Sequence, residues 1–375
     1  MTEDALSEKS DSDSSLAVPS AGLVTPPASS RTRRRIAIDL SLLTVVGVVL
    51  IGAVAAAYGA VQREFYSPTA FVEQYLSMLE EGRTSDALSV PGVAVASADL
   101  EAAGLPPTAH DALLRSTALS TLTDARVVSE EQNDEFTTVN VAYTAGGYAG
   151  TASFDVEPNG SIGIAPTWRF ASSPLAVLSL DVGGSMSFNV NGFALDKRQV
   201  SPEGVDADPT EAVSLLVFSP GLYSVSVETA IASTPGVAVL SDSPFTSVPV
   251  TVQAQPTQEF VEVVQERVEE FLTTCASQEV LQPTACPFGY VVEDRIASLP
   301  EWTIETQPTI SIESDGADWK IPATAAAARL NVDIQSLFDG SITNANEIVP
   351  FFVTGTIRVL PDGSVTISVG GTEGE

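Results

Sequence analysis

The run Leu40 to Tyr58 holds nineteen consecutive residues without a charge, and four arginines, Arg31, Arg33, Arg34 and Arg35, stand shortly before it. At about 1.5 Å of rise per residue, such a run crosses a hydrocarbon core of roughly 30 Å. The arginines outweigh Arg63 and Glu64 on the far side, which orients the segment with its N-terminus in the cytosol and everything from about Gly59 onward outside. The expectation is a transmembrane helix over 36–58 and a single-pass protein of the cell membrane with a large extracytoplasmic part. A cleaved secretory signal is the competing reading, because Ala55, Ala57 and Ala60 are small residues of the kind that precede a cleavage site. Against it, the polar stretch ahead is about 35 residues long and the apolar run exceeds a signal core. Asp39 sits one residue outside the run, at headgroup depth, whereas a functional intramembrane charge would be central.

Composition agrees with export. Of 48 acidic residues, 42 follow Gly59, against 12 of the 17 basic ones, so the outer part carries −30 of the formal −31. That field argues against nucleic acid and against docking on anionic lipid. It suits solubility in a crowded envelope; attraction to cationic ligands or divalent ions is the sharper alternative. Heavy use of Ala, Val and Thr beside only three lysines suggests a high-GC bacterial source. The two cysteines, Cys275 and Cys286, both fall on the expected outer side, where a disulfide is worth roughly 3 kcal/mol by loop entropy. Zinc normally wants four ligands, and the only histidine, His110, lies 165 residues upstream; two free buried thiols are the remaining alternative.

The patterning divides the chain into a disordered cytosolic tail (1–35), the membrane helix (36–58), an α+β domain (59–172), a small all-β sandwich (173–255) and a second α+β domain with the disulfide (256–375). In the first α+β part, Ser67-Pro68 opens a helix carrying Phe71, Tyr75, Met78 and Leu79. Helical pieces are expected at 84–88 and around 108–119, then strands at 125–130, 136–143 and 148–156, with Glu157-Pro158-Asn159-Gly160 as a turn. From 174 to 255, short Val-, Ser- and Phe-rich runs separated by Gly and Pro turns indicate the sandwich. Helical period returns at Phe260, Val264, Val268, Leu272 and Cys275, with Thr257 as N-cap. A short helix at 291–299 and several strands follow, the last two joined by Pro361-Asp362-Gly363. The third part repeats the helix-then-sheet order of the first, with Phe71-Val72-Glu73 matched by Phe260-Val261-Glu262 and Trp168-Arg169 by Trp319-Lys320. Distant duplication and coincidence of two common layouts both remain open.

A short tail, one membrane helix, a helix-first α+β module, a β-domain containing Ser219-Pro220-Gly221-Leu222-Tyr223-Ser224-Val225 and a terminal α+β module resemble the TcaA-like membrane proteins of Gram-positive envelopes. The flanking modules are similar to the nuclear-transport-factor-like (cystatin-like) fold, a cone of curved sheet wrapped on helices, and Pro-Gly-Leu-Tyr-Ser-Val resembles surface-layer β-repeats. This chain departs from such relatives in lacking the cytosolic zinc ribbon, since its tail has no cysteine. The resemblance implies a cell-envelope, non-catalytic role in which a cell-wall component or envelope protein is bound, and it implies no site residues.

Residues that could carry chemistry are scattered. His110 stands beside Asp111 with no nucleophile motif, and Lys197 and Lys320 could serve a serine–lysine pair but sit in no recognisable pattern. Neighbouring carboxylates are expected by chance in so acidic a chain. Glu203, Asp206, Asp208 and Glu211 could offer oxygens to calcium, yet lack the spacing of a calcium loop. The pairs Gly146-Gly147, Gly183-Gly184 and Gly370-Gly371 read as turns. Trp168, Trp302 and Trp319 are expected in cores, with lining of a ligand cone as the alternative. No metal, cofactor or catalytic residue is expected. A small-ligand carrier or enzyme using a pocket in one α+β module is the alternative function.

Overall fold

The computed structural model describes residues 42–56, 66–163, 165–360 and 364–371, in two compact units, Met1–Val61 and Gln62–Glu375. In the first unit, α1 (42–56) carries Leu43, Val48 and Ile51 exposed along its length. No helix among the described residues is long and apolar enough to cross a membrane. The ends of the expected span, the tail 1–35 and its arginine cluster lie outside the described residues.

The second unit begins with α2 (Pro68–Glu80). Ser67 is extended and its Oγ accepts the Ala70 N–H, while proline at the first position forfeits no hydrogen bond. Val72, Tyr75, Leu76 and Leu79 form its buried face. Short helices α3 (Thr84–Ser89) and α4 (Ser97–Ala102) follow, then β1 (Leu122–Gln132), β2 (Thr137–Ala145), β3 (Tyr148–Ile162) and β4 (Ala165–Phe170), an antiparallel meander in that order. Strict alternation along β2 turns Val139, Val141 and Tyr143 into the core that α2 covers.

The central part comprises β5 (Leu175–Gly183), β6 (Ser187–Val190), β7 (Phe193–Asp196), α5 (Lys197–Val200), β8 (Val213–Phe218), β9 (Gly221–Ser226), β10 (Ala232–Ser233), β11 (Val237–Ser241), β12 (Ser247–Gln253) and β13 (Gln255–Pro256). Sheets β12-β5-β8 and β11-β9-β6-β7 make the sandwich, with β12 and β5 parallel and the other pairs antiparallel. Then comes α6 (Gln258–Ala276), whose N-cap Thr257 both accepts the Phe260 N–H and donates to the Ala230 carbonyl, tying the helix to the sandwich. Cys275, at its end, lies at disulfide distance from Cys286 (S–S 2.07 Å).

The last sheet is built on a long ribbon. Strands β17 (Asp318–Gln335) and β18 (Ile342–Val359) pair along their whole lengths. The outer edge of β17 takes β14 (Arg295–Ile296), β15 (Glu301–Thr306) and β16 (Glu313–Asp315), and β19 (Val365–Gly371) covers β18 from Val353 to Val359.

Several expectations need correction. Residues 108–119 form no α-helix, because the His110 N–H donates to the Ser214 carbonyl (2.8 Å) and its carbonyl accepts from the Leu216 N–H (2.9 Å), adding it to the edge of β8. A 3-10 turn at Ser116–Ala118 is what remains helical there. Strand β3 runs through 157–160 with a register shift between Pro158 and Ser161 instead of turning. Segment 291–299 is not helical and supplies the two-residue strand β14 between bends, and Gly370 and Gly371 end β19 instead of forming a turn. The expected turn at 361–363 lies outside the described residues.

Apolar packing crosses the expected boundaries. Leu175, Phe218 and Leu222 of the sandwich belong to the core beneath α2, and the Tyr75 hydroxyl donates to the Ser219 carbonyl at 3.1 Å. In return Ala112, Leu113 and Ala118 enter the sandwich core, which continues without a break into Phe260, Trp319 and the last sheet. A fragment of residues 105–255 is therefore expected to melt at a clearly higher temperature than 174–255, which loses those three side chains; equal melting temperatures by circular dichroism would contradict this.

Burial raises the Tyr75 hydroxyl well above its ordinary range, pushes Tyr143 up to about 12 with a further push from Asp242, and raises Tyr223. Above about pH 10 the unfolded chain sheds these protons while the folded chain keeps them, so folding binds protons and stability falls as pH rises. The expected loss is about 1.4 kcal/mol per pH unit for each phenol until its folded value is reached. Urea unfolding between about pH 9 and 11 checks this, and a flat profile would refute it.

Candidate functional site

The aromatic residues sit inside the α+β parts. Phe71, Tyr75, Phe154 and Phe170 stack within the first, at centroid distances of 4.9 to 6.2 Å. In the last, Phe260 packs edge-on to Trp319, and Phe288 lies between Trp302 and Phe351. Trp302 is buried and its Nε1 donates to the Val280 carbonyl. Buried Trp319 has no partner for its Nε1 among the described residues. Half-buried Trp168 donates to the Tyr66 carbonyl. None of the three tryptophans lines the cleft described next.

That cleft, about 400 Å³, opens at the seam between the sandwich and the long ribbon. Its walls are the turn after β5 (184–187), Arg198 of α5, Val205, Ala207 and Pro209 of the acidic loop, segment 229–232, Ala317 before β17, and Val359 and Leu360 at the end of β18. Gly184 has a φ of +78°, and a Cβ there would press on Ser314 and Trp319 at 3.1 to 3.4 Å. The glycine thus lets the turn lie against the last sheet.

The polar groups of the cleft are already engaged. Asp196 holds the Arg198 guanidinium with two bonds, Nε to Oδ1 at 2.8 Å and Nη2 to Oδ2 at 2.7 Å, and its own carboxyl stays below the usual range despite burial. Ser187 also donates to Asp196, Ser185 exchanges bonds with the Ser187 backbone, and Thr229 does so with Ala232. What the cleft offers a visitor is therefore mainly hydrocarbon: Met186, Val205, Pro209, Ile231, Val359 and Leu360.

One wall is held by a fully buried lysine. Lys197 donates from Nζ to the carbonyls of Pro209 and Glu211, inside the loop that carries Glu203, Asp206, Asp208 and Glu211. Burial lowers its pKa, and the charges of Asp181 and Asp208 pull it back up. An internal ammonium thus organises the carbonyls of a loop whose composition suggests calcium, and among the described residues no group of three His, Cys, Asp or Glu is placed to hold a metal. The sequence offers a signal for this, an isolated lysine at the start of a β-turn-β connection, but only the fold shows what it meets.

The other candidates stay apart. His110 is half exposed, with Nδ1 accepting the Ala112 N–H, and its backbone, not its ring, does the structural work. Lys320 pairs in β17 opposite Glu313. Set against known proteins, the chain matches no family model, no curated protein and no solved structure.

Replacing Lys197 by Ala removes both part-buried bonds to the Pro209 and Glu211 carbonyls, at a total cost of about 1–3 kcal/mol. Limited proteolysis should then cut within 203–211 well before the rest of the second unit. Unchanged proteolysis and melting would contradict the clamp. Lys197 adds an alkaline contribution opposite in sign to the phenols, one group against three.

Proposed function

We propose that this chain is a membrane-anchored, extracytoplasmic, non-catalytic scaffold that binds a cell-envelope component or a partner protein through its surface, on the TcaA-like plan. The observation that carries this reading is the filling of both α+β interiors by aromatic side chains packed edge-on or tilted, where a cone used as a reaction chamber would need open space lined by converging polar groups. The charge of the outer part, the cysteine pair at disulfide distance and the apolar 42–56 helix support export and anchoring. The sandwich supplies side chains to both apolar cores of the second unit, which ties its parts together and suits it to presenting a surface.

A second reading, a small-ligand carrier, is favoured by the seam cleft alone. With its hydroxyls and Arg198 already bonded, such a ligand would be held by hydrocarbon contact and not by hydrogen bonds.

The anchored reading requires the second unit to lie outside the cell. Protease added to intact, wall-stripped cells should digest epitopes placed after residue 371 and spare one placed in the first thirty residues. Protection of the C-terminal epitope would overturn the proposal.

A further inference from the structure

Two apolar features without partners among the described residues stand at opposite ends of the ribbon β17–β18. One is the tip, residues 336–341, where Phe338 is 99% and Leu337 72% exposed. The tip is rigidly built. Ser336 and Ser341 bond across its neck (2.8 Å), Gly340 turns at φ +76° and donates to the Ser336 carbonyl, and Asp339 accepts both the N–H and the hydroxyl of Ser341. The Leu337 N–H is held by Asp294 from the neighbouring segment, and the Phe338 N–H by the Ser336 hydroxyl. An ordered turn thus drives two large apolar side chains into water, the reverse of what a loop tip does by default.

The other feature is the seam cleft, which meets the ribbon at its base through Ala317, Val359 and Leu360. Its volume, about 400 Å³, suits two large side chains, and its walls are hydrocarbon with the polar groups bonded to one another. Knob and hole therefore match in chemistry and size, and they stand at opposite ends of 18-residue strands whose contour is at most roughly 55 Å at about 3.3 Å per residue. Continuous pairing from Trp319–Ile357 to Gln335–Ile342 keeps the knob at the far end of the ribbon from the hole of its own chain, whereas it can reach the hole of another.

We propose that the tip of one copy, Phe338 and Leu337, seats in the seam cleft of a second copy, so that the chain associates head to tail. This names the partner for the scaffold proposed above and rests on that reading, although association of the purified chain can be measured whatever its cellular topology. Because the contact is heterologous, it leaves a free tip at one end and a free cleft at the other, and it propagates as an open row. Anchoring all copies in one membrane would concentrate them for that contact. Each copy carries a formal −31, so repulsion opposes the contact and added salt should strengthen it.

The test uses the full chain in detergent micelles with its disulfide intact, followed by sedimentation velocity over a concentration series. The native protein should form species larger than dimers, increasingly so with salt. Phe338→Asp removes the knob at a fully exposed position and Ala230→Trp fills the hole; each should weaken association roughly 30-fold. Leu337→Ser and Ala317→Trp are the second choices should either variant melt early. The decisive sample is the equal mixture: F338D keeps its cleft and A230W keeps its tip, so together they should form one-to-one dimers and grow no further. A strictly monomeric native protein, a variant that associates as the native chain does, a mixture that stays monomeric, or association weakened by salt would each overturn the proposal. So would Phe338→Cys chains crosslinking to themselves in place of Ala230→Cys chains, since that marks a tip-to-tip pair.

Discussion

The second unit depends on the burial of Tyr75 between the meander and the sandwich. Its ring meets Phe154 and Phe170 edge-on, at 6.2 and 5.1 Å, while its hydroxyl reaches out of the aromatic cluster to the Ser219 carbonyl at the end of β8. Each such aromatic pair adds about 0.5–1.5 kcal/mol beyond its burial. The hydrogen bond removes the penalty of a dry phenol and a dry carbonyl at one stroke. Tyr223 repeats the device one strand away by donating to the Phe218 carbonyl. The junction is thereby closed as a core is closed, with apolar contact around a small satisfied polar centre.

That closure explains how a chain so acidic builds extended features. The segment after α4 leaves the meander, pairs through His110 with β8 and inserts Leu113 into the sandwich. Beyond α6 the ribbon β17–β18 is buried on one face from Trp319 to Val332 and ends in an exposed tip. Lys197 serves the same architecture on a smaller scale, since its ammonium bonds to two carbonyls of the loop.

Legibility in the sequence followed the range of the interactions. Helices α2 and α6 were readable because their stops and caps are local: Ser67 before Pro68, Thr257 before the Phe260 periodicity. Strands β8 and β12 were readable from their β-branched runs between turn residues. The run at 108–119 has the composition of a helix but is decided by a strand more than a hundred residues later. Segment 291–299 likewise gives way to pairing of Arg295 with Gln335. The cysteine pair was readable from its close spacing of eleven residues and the absence of any other cysteine. The cleft was not, because its walls come from six separate segments, and neither was the role of Lys197, whose partners are backbone carbonyls that no sequence pattern encodes.

The central claim is that α2, the sandwich and the ribbon unfold as one body because the strands of the sandwich contribute to two cores, one shared with α2 and the meander and one shared with the last sheet. Native-state amide hydrogen exchange tests it most directly. The slowest amides of α2, β5 and β17 should share a single opening free energy, and Tyr75→Phe should lower all three together by about 1 kcal/mol. Three distinct opening energies, with Tyr75→Phe felt only in α2 and the meander, would contradict the account.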